Sequence, residues 1–239
     1  MLSIIIPTYN CAPVLSGMFD SILCQTFTDY EVVIVDGASV DGTMEIVYAA
    51  QSRFPKGRLQ YISAPDGGIY DAMNKGISVS RGQWLYFMGA DDRLYDSQSL
   101  MQLSSFLHSP ARVVMCDVFS PRHGRCRPRF SIMTWLHNTI HHQGLVYHRS
   151  VFGDRKYDVS LHVMGDYEFN LWLYDRGCPM SRARFVLSTH LPGGKSGTVR
   201  WENYSEEIRV RNRYLHNPFA RVFCAMVSVL KYGIKTSLC

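Results

Sequence analysis

Four short apolar runs, the first three each followed by a segment with helical spacing, constrain this chain more than any other feature. Residues 2–7 (Leu-Ser-Ile-Ile-Ile-Pro) are almost continuously apolar and close on a proline, as expected of a strand buried on both faces. Residues 12–26 then place Val14, Leu15, Met18, Ile22 and Leu23 near the helical period. A β-branched strand at 31–36 ends in a carboxylate, and Asp41-Gly42-Thr43 opens a second helix to about Arg53, with Asp41 as its cap. Residues 59–63 read as a third strand and 68–80 as a third helix. A fourth strand, 83–88, runs straight into Gly89-Ala90-Asp91-Asp92. This alternation predicts an α/β fold with a parallel sheet and right-handed crossovers. Ligands of such sheets sit at the carboxyl ends of the strands. Three of those ends carry polar groups: Thr8-Tyr9-Asn10, Asp36-Gly37 and Asp91-Asp92.

Beyond residue 110 the pattern loosens. Residues 112–116 read as another strand, and 117–131, rich in Arg, Pro and Gly, as a loop or an irregular hairpin. Residues 165–174 form a helix stopped by Arg176-Gly177, and 183–191 a late strand before a flexible Pro192-Gly193-Gly194-Lys195-Ser196-Gly197. No internal repeat or low-complexity linker divides the chain. Its 239 residues suit one domain, 1–216, with a tail at 217–239. No apolar run approaches the roughly 20 residues that span a bilayer. The first residues lack a basic leader and a cleavage site, so they are expected to be a buried strand and not an export signal. Seven cysteines without a Cys-x-x-Cys point to reduced thiols in a cytosolic protein.

The net charge of +5 is unevenly spread. Residues 1–180 hold 15 basic and 17 acidic side chains, whereas 181–239 hold 10 and 3. A basic segment suits nucleic acid, an anionic membrane surface or a phosphorylated ligand. Residues 219–232 add an apolar, aromatic and basic run too short to cross a membrane. Two readings follow: a helix lying in the membrane interface, or a C-terminal helix packed on its own domain.

Neither standard phosphate cradle is present. Pro7-Thr8-Tyr9-Asn10 stands where a dinucleotide fold needs Gly-x-Gly-x-x-Gly, and no Gly-x-x-x-x-Gly-Lys-[Ser/Thr] occurs. Asp91-Asp92 offers another solution. Adjacent carboxylates repel when desolvated, and Mg²⁺ or Mn²⁺, which take carboxylate and phosphate oxygens, would remove the conflict. A water-exposed Asx-type turn is the structural alternative. His137, His141 and His142 suggest zinc, but no Cys or carboxylate follows at a ligand spacing.

Taken together, Pro7-Thr8-Tyr9-Asn10, the run 35–43 (Val-Asp-Gly-Ala-Ser-Val-Asp-Gly-Thr) and Ala90-Asp91-Asp92 resemble the family-2 glycosyltransferases, inverting enzymes of the GT-A fold. The run 65–77 (Pro-Asp-Gly-Gly-Ile-Tyr-Asp-Ala-Met-Asn-Lys-Gly-Ile) looks like members that build bacterial surface polysaccharides. The resemblance covers residues 1–95 and resumes at His141-His142-Gln143-Gly144 and around Asp166. It implies a GT-A-type, Rossmann-like, mostly parallel sheet flanked by helices, with a donor half at 1–110, an acceptor half at 111–216 and an amphipathic helical tail.

The resemblance also implies roles. Asp36 would accept a hydrogen bond from the donor's base, as suits the imide N–H of uracil. Pro7, Thr8 and Tyr9 would wall the nucleotide site, and Asp66, Gly67 and Asn74 would close over the nucleotide and diphosphate. Asp91 would contact the donor ribose or sugar. Asp92 would hold the divalent metal, Mn²⁺ or Mg²⁺, that neutralises the departing nucleoside diphosphate. Asp166 would be the general base for the acceptor hydroxyl, with Glu168 the runner-up and Asp154 and Asp158 weaker candidates. His142 and Gln143 would touch the donor sugar and acceptor. Structural duties compete at several positions: a turn at Asp36, a helix cap at Asp166, and turn or helix packing at Gly67 and Asn74. Some GT-A enzymes recruit a late His to the metal, but the sequence assigns His190 no such role.

The implied function is transfer of one sugar, with inversion, from a nucleotide-diphospho-sugar, UDP-linked, to a lipid-linked (polyprenyl-diphosphate) glycan in surface polysaccharide synthesis. The implied setting is the inner face of the cytoplasmic membrane, with the tail on an anionic lipid surface and no nucleic acid involved. The Gln-x-x-Arg-Trp signature of processive synthases is absent, which favours single transfer over polymerisation. Leu171-Trp172-Leu173 stands where many relatives carry an Arg, which bears on acceptor contacts and not on the donor half. Two other classes are open. A sugar nucleotidyltransferase would want a Gly-rich, basic loop after the first strand, and a nucleic-acid-binding protein would want aromatics among basic residues on a sheet face.

Overall fold

The two most apolar runs form neighbouring interior strands of a sheet. The computed structural model describes residues 1–136, 138–153, 155–191 and 199–237. In it β1 (Leu2–Thr8) is buried everywhere except Pro7, and β2 (Tyr30–Asp36) along its whole length. Helices over both faces require that pattern. The connecting elements are α1 (Ala12–Leu23), α2 (Thr43–Gln51), β3 (Leu59–Ser63), α3 (Ile69–Val79) and β4 (Trp84–Phe87), close to the sequence expectation. β3, β2, β1 and β4 lie side by side in that order and pair in parallel. Successive residues of β1 point to opposite faces. Leu2, Ile4 and Ile6 therefore pack with Leu15, Met18 and Phe19 of α1, while Ile5 packs with Tyr70, Met73 and Ile77 of α3.

The second half continues the same sheet with mixed polarity. It comprises β5 (Arg93–Leu94), α4 (Ser99–Ser104), β6 (Val113–Ser120), β7 (Gly124–Cys126), β8 (Leu145–His148), α5 (Gly165–Asp175) and β9 (Met180–Thr189). β8 inserts antiparallel between β4 and β6; β6 and β9 run parallel, and β5 closes the edge antiparallel to β9. The Arg/Pro/Gly-rich stretch after β6 begins as the hairpin β6–β7. The Gly-rich run 192–197, His137, Asp154 and Cys239 lie outside the described residues.

Two helices end the chain, α6 (Trp201–Tyr214) and α7 (Pro218–Ser237). α7 is docked through polar groups. Buried Arg211 of α6 donates to Ser228 Oγ (2.8 Å) and to Glu207, and Ser228 in turn donates to Glu207 Oε2 (2.7 Å). Lys231 Nζ reaches the carbonyl of Leu136 (2.5 Å). One side of α7 is fixed to α6, as the packed-helix reading expects, while Phe219, Val222, Phe223, Met226, Leu230 and Ile234 are exposed along another. Among the described residues no helix is long and apolar enough to cross a membrane.

Candidate active site

The parallel register sets Thr8 opposite Asp36 at the carboxyl ends of β1 and β2. Asp36 is buried and takes hydrogen bonds from Thr8 Oγ1 (3.1 Å), Ser39 N (2.9 Å), Ser39 Oγ (2.5 Å) and Ser63 Oγ (2.7 Å). Burial pulls its carboxyl upward, but these bonds outweigh that and hold it below the usual carboxylate range. All four lone-pair directions are thereby used, so a base N–H reaches Asp36 only if one of these hydroxyls turns away. Asn10, in the left-handed region (φ 47°), accepts from Val40 N (3.0 Å) and its own N–H donates to Ser39 Oγ (2.8 Å). That lock presents Tyr9, 63% exposed, at the rim.

Asp66 and Tyr9 flank Gly37. A Cβ there would sit 2.9 Å from Asp66 Oδ2 and 3.3 Å from a Tyr9 ring carbon, so the ends of β1 and β2 and the loop before α3 share one rim. Asp66 Oδ1 accepts from Gly68 N (2.9 Å), and Gly67 N donates to Asp71 Oδ2 (3.0 Å). Gly68, at φ 114°, can only be glycine without strain. Asn74 has a different set of partners. Its nitrogen and oxygen both bond the backbone of Tyr157 (2.9 and 3.0 Å), pinning the 157 segment to α3.

The end of β4 carries the paired carboxylates. Both lean over Gly89, where a Cβ would meet Asp92 Oδ2 at 2.6 Å and Asp91 Oδ1 at 2.9 Å. Asp92 is fully buried, accepts from Gly89 N (3.0 Å) and lies 3.1 Å from His190 Nδ1, just past the end of β9. Gln143 Nε2 lies 3.1 Å from the same His190 nitrogen. Burial, and then the charge of Asp92, push the Asp91 carboxyl above its ordinary value. The hydrogen bond to Asp92 pushes the His190 imidazole up. Neither aspartate is paired with a Lys or Arg among the described residues.

Asp166, in the first turn of α5, faces the same space. Its Oδ1 accepts from Tyr70 OH (3.2 Å) and its Oδ2 lies 3.4 Å from His142 Nδ1. Burial lowers the His142 imidazole, but Asp166 first, then Asp92 and Asp91, outweigh it and raise it. His142 therefore stands within electrostatic reach of all three aspartates, which the chain separates by 75 positions between 91 and 166. The other acids are engaged elsewhere. Glu168 is fully buried with Arg155, Tyr214 and Arg213. Asp158 pairs with Arg213 at 2.7 Å.

A divalent cation suits this donor set: the fully buried Asp92 carboxylate beside the half-buried Asp91, which burial and then the charge of Asp92 push up. Among the described residues no three His, Cys, Asp or Glu side chains are gathered closely enough to hold an ion unaided. Oxygens of water and of a diphosphate would have to complete the shell, as Mg²⁺ and Mn²⁺ prefer.

Tyr70 was not among the expected site residues, although it lies inside the quoted run 65–77, one helical turn before Asn74 on the face that meets the 157–166 segment. His190, which the sequence left without an assigned role although some GT-A enzymes recruit a late His, lies beside Asp92.

The sequence model of the family described as "Glycosyl transferase family 2" matches residues 3–177. The chain belongs to that family. Among relatives of this glycosyltransferase is a "PGL/p-HBAD biosynthesis glycosyltransferase" of Mycobacterium tuberculosis, 34% identical over 220 residues, covering 89% of this chain and 86% of the relative. A hyaluronan synthase of Pasteurella multocida is 36% identical over 107 residues, 45% of this chain but 11% of the synthase. Among solved structures, S. aureus TarS 1–349 in complex with UDP-GlcNAc superposes with a TM-score of 0.72 at 17% identity, covering 95% of this chain and 70% of that one. The mannosyltransferase PcManGT of Pyrobaculum calidifontis, in complex with GDP-Man and Mn²⁺, gives 0.72 at 18% identity over 96% and 73%. The fold of this glycosyltransferase is GT-A.

Proposed function

We propose that this glycosyltransferase moves a single sugar, with inversion, from a nucleotide-diphospho-sugar, UDP-linked, to a lipid-linked glycan of surface polysaccharide synthesis. The observation that carries this reading is that neighbouring His142 and Gln143 link the two acidic sites, His142 lying 3.4 Å from Asp166 and Gln143 reaching Asp92 through His190. Neighbours with UDP-GlcNAc or with GDP-Man and Mn²⁺ support a nucleotide-sugar donor and a divalent metal.

In this reading Pro7, Thr8 and Tyr9 wall the nucleotide, Asp36 takes the base N–H as Ser39 or Ser63 turns aside, and Asp66 and Gly67 close the rim. Asn74 contributes by anchoring the 157 segment. Asp92 holds the cation and Asp91 the donor ribose or sugar. When bound, the cation supplies Lewis-acid stabilisation to the departing diphosphate oxygen. On the opposite face Asp166 takes the proton of the acceptor hydroxyl as its oxygen bonds the anomeric carbon and the carbon–diphosphate bond breaks. Tyr70 orients the Asp166 carboxylate, and His142 and Gln143 line the sugar. The exposed stripe of α7 lies on the inner face of the cytoplasmic membrane, with the exposed Arg221 beside it meeting anionic lipid.

The test is a donor screen by nucleotide release with Mn²⁺, repeated on Asp92→Asn and Asp166→Asn. Both substitutions are expected to lower turnover by on the order of 10²–10⁴-fold. Retained turnover in Asp166→Asn would remove it as the base. Release of pyrophosphate in place of nucleoside diphosphate would mark a nucleotidyltransferase.

A further inference from the structure

A second cavity, of about 1010 Å³, lies away from the donor and acceptor residues, none of which lines it. Its walls come from the early parts of β6 and β9, the end of α5 and the segment after β7. Arg184 stands six residues before His190 along β9, about 20 Å at the rise of an extended chain. Five arginines face one acid across this cavity: Arg125, Arg127, Arg129, Arg182 and Arg184 against Asp117. Asp117 is buried and already clasped by two of them, at 2.5 Å by Arg125 and closely by Arg182. Among the described residues Arg127, Arg129 and Arg184 have no acidic partner. An aromatic wall completes the cavity, the rings of Phe130 and Tyr174 lying stacked 5.4 Å apart and 8° from parallel.

A surface that only needed solubility would intersperse both signs of charge. Unpaired guanidiniums converging on a concave space match phosphate oxygens, which they bind in bidentate fashion, and the stacked rings suit the apolar or cyclic group that carries the phosphate. We infer that this cavity is a phosphate-binding site, distinct from the donor cleft, for a ligand bearing a diphosphate or comparable cluster of negative oxygens. The source is either soluble or an anionic lipid headgroup. The inference does not depend on the function proposed for the donor cleft.

The experiment uses the full chain in EDTA, so that no divalent cation recruits pyrophosphate to the aspartate pair. Inorganic pyrophosphate is titrated calorimetrically into wild type, Arg127→Gln/Arg184→Gln, Arg127→Lys/Arg184→Lys and Asp92→Asn. In parallel, flotation is measured with vesicles of equal phosphatidylglycerol and phosphatidylcholine, and of phosphatidylcholine alone. The glutamine pair is expected to weaken pyrophosphate binding by at least about tenfold, the lysine pair less, and Asp92→Asn not at all. A parallel loss of flotation on phosphatidylglycerol would assign the ligand to a lipid headgroup; unchanged flotation would assign it to a soluble phosphate. The inference is overturned if wild type and the glutamine pair bind pyrophosphate alike, if Asp92→Asn abolishes binding, or if a single-stranded oligonucleotide displaces pyrophosphate at lower concentration than free phosphate does. Arg127 and Arg184 are exposed, so thermal unfolding of both arginine-pair variants comparable to wild type is expected.

Discussion

Tyr70 ties the base of the proposed reaction to the fold through a single hydroxyl. Its one proton is shared between the carbonyl of Val163 (2.7 Å) and Asp166 Oδ1 (3.2 Å), and burial and then the charge of Asp166 keep the phenol protonated far above its ordinary range. In the proposed mechanism Asp166 abstracts a proton from one direction, and such a fixed donor holds it for that step. Tyr70→Phe is therefore expected to lower kcat about tenfold, the worth of one hydrogen bond to a charged group, with little change in the donor KM. Steady-state kinetics checks this; an unchanged kcat, or a KM that rises in step, would make Tyr70 a purely structural residue. The role of Asp166 as a candidate was readable from family resemblance, whereas its tie to Tyr70 required two segments 96 positions apart to meet. Asp36 teaches the converse. Its position at a strand end was legible, but the fact that Ser39 and Ser63 fill its lone pairs was not, because the hydroxyls arrive from a turn and from a neighbouring strand.

Among elements, α6 is fastened to Asp158 and Glu168 by ions. Asp158 bonds Ser160 and Arg213; burial would raise its carboxyl, but these partners bring it down to about 2. A folded-state value below the unfolded one adds stability that is present above the ordinary carboxylate pKa near 4 and is lost as pH falls toward 2. Asp158→Asn is expected to cost about 1–2 kcal/mol at neutral pH, discounted for partial exposure, and to flatten the acid limb of a stability–pH curve between about 4 and 2. Urea unfolding across that range measures it, and an identical acid limb in the variant would refute the linkage. α7 makes a second case. Deleting it would uncover Arg211 and Glu207, so loss of membrane binding could not be separated from unfolding. Phe219→Ser/Leu230→Ser touches only the exposed stripe, where the two side chains are 84% and 64% exposed. The pair is expected to abolish flotation on anionic vesicles with the melting temperature unchanged, each side chain forfeiting about 2 kcal/mol of lipid contact. Ser228→Ala, by contrast, is expected to lower stability by about 1–2 kcal/mol through the Arg211–Glu207 pair it serves and to leave flotation intact.

At the scale of the whole molecule the cleft is a seam between a parallel half and a mixed one, and a ligand bridging both should stabilise both. UDP with Mn²⁺ is expected to raise the melting temperature of the wild type, by the equivalent of about 2.7 kcal/mol at a hundredfold excess over Kd, and to leave Asp92→Asn unshifted. A calorimetric scan decides it: equal shifts would show that the nucleotide binds without the aspartate pair. The division of labour between chain and fold follows from ranges of interaction. Strand and helix alternation, the strand-end carboxylates and the glycines of the 65–77 run are local properties, set by side-chain period and backbone freedom within a dozen residues, and these were open to reading from residues alone. The antiparallel insertion of β8 between β4 and β6 was not, because Val146 pairs with Tyr86 and Val114 through backbone groups that every residue possesses. That insertion carries His142 and Gln143 to the aspartates, and the parallel pairing of β6 with β9 carries His190 to Asp92. Chemistry was written along the chain; convergence of its parts depended on hydrogen bonds between strands that are remote in sequence and interchangeable in backbone chemistry.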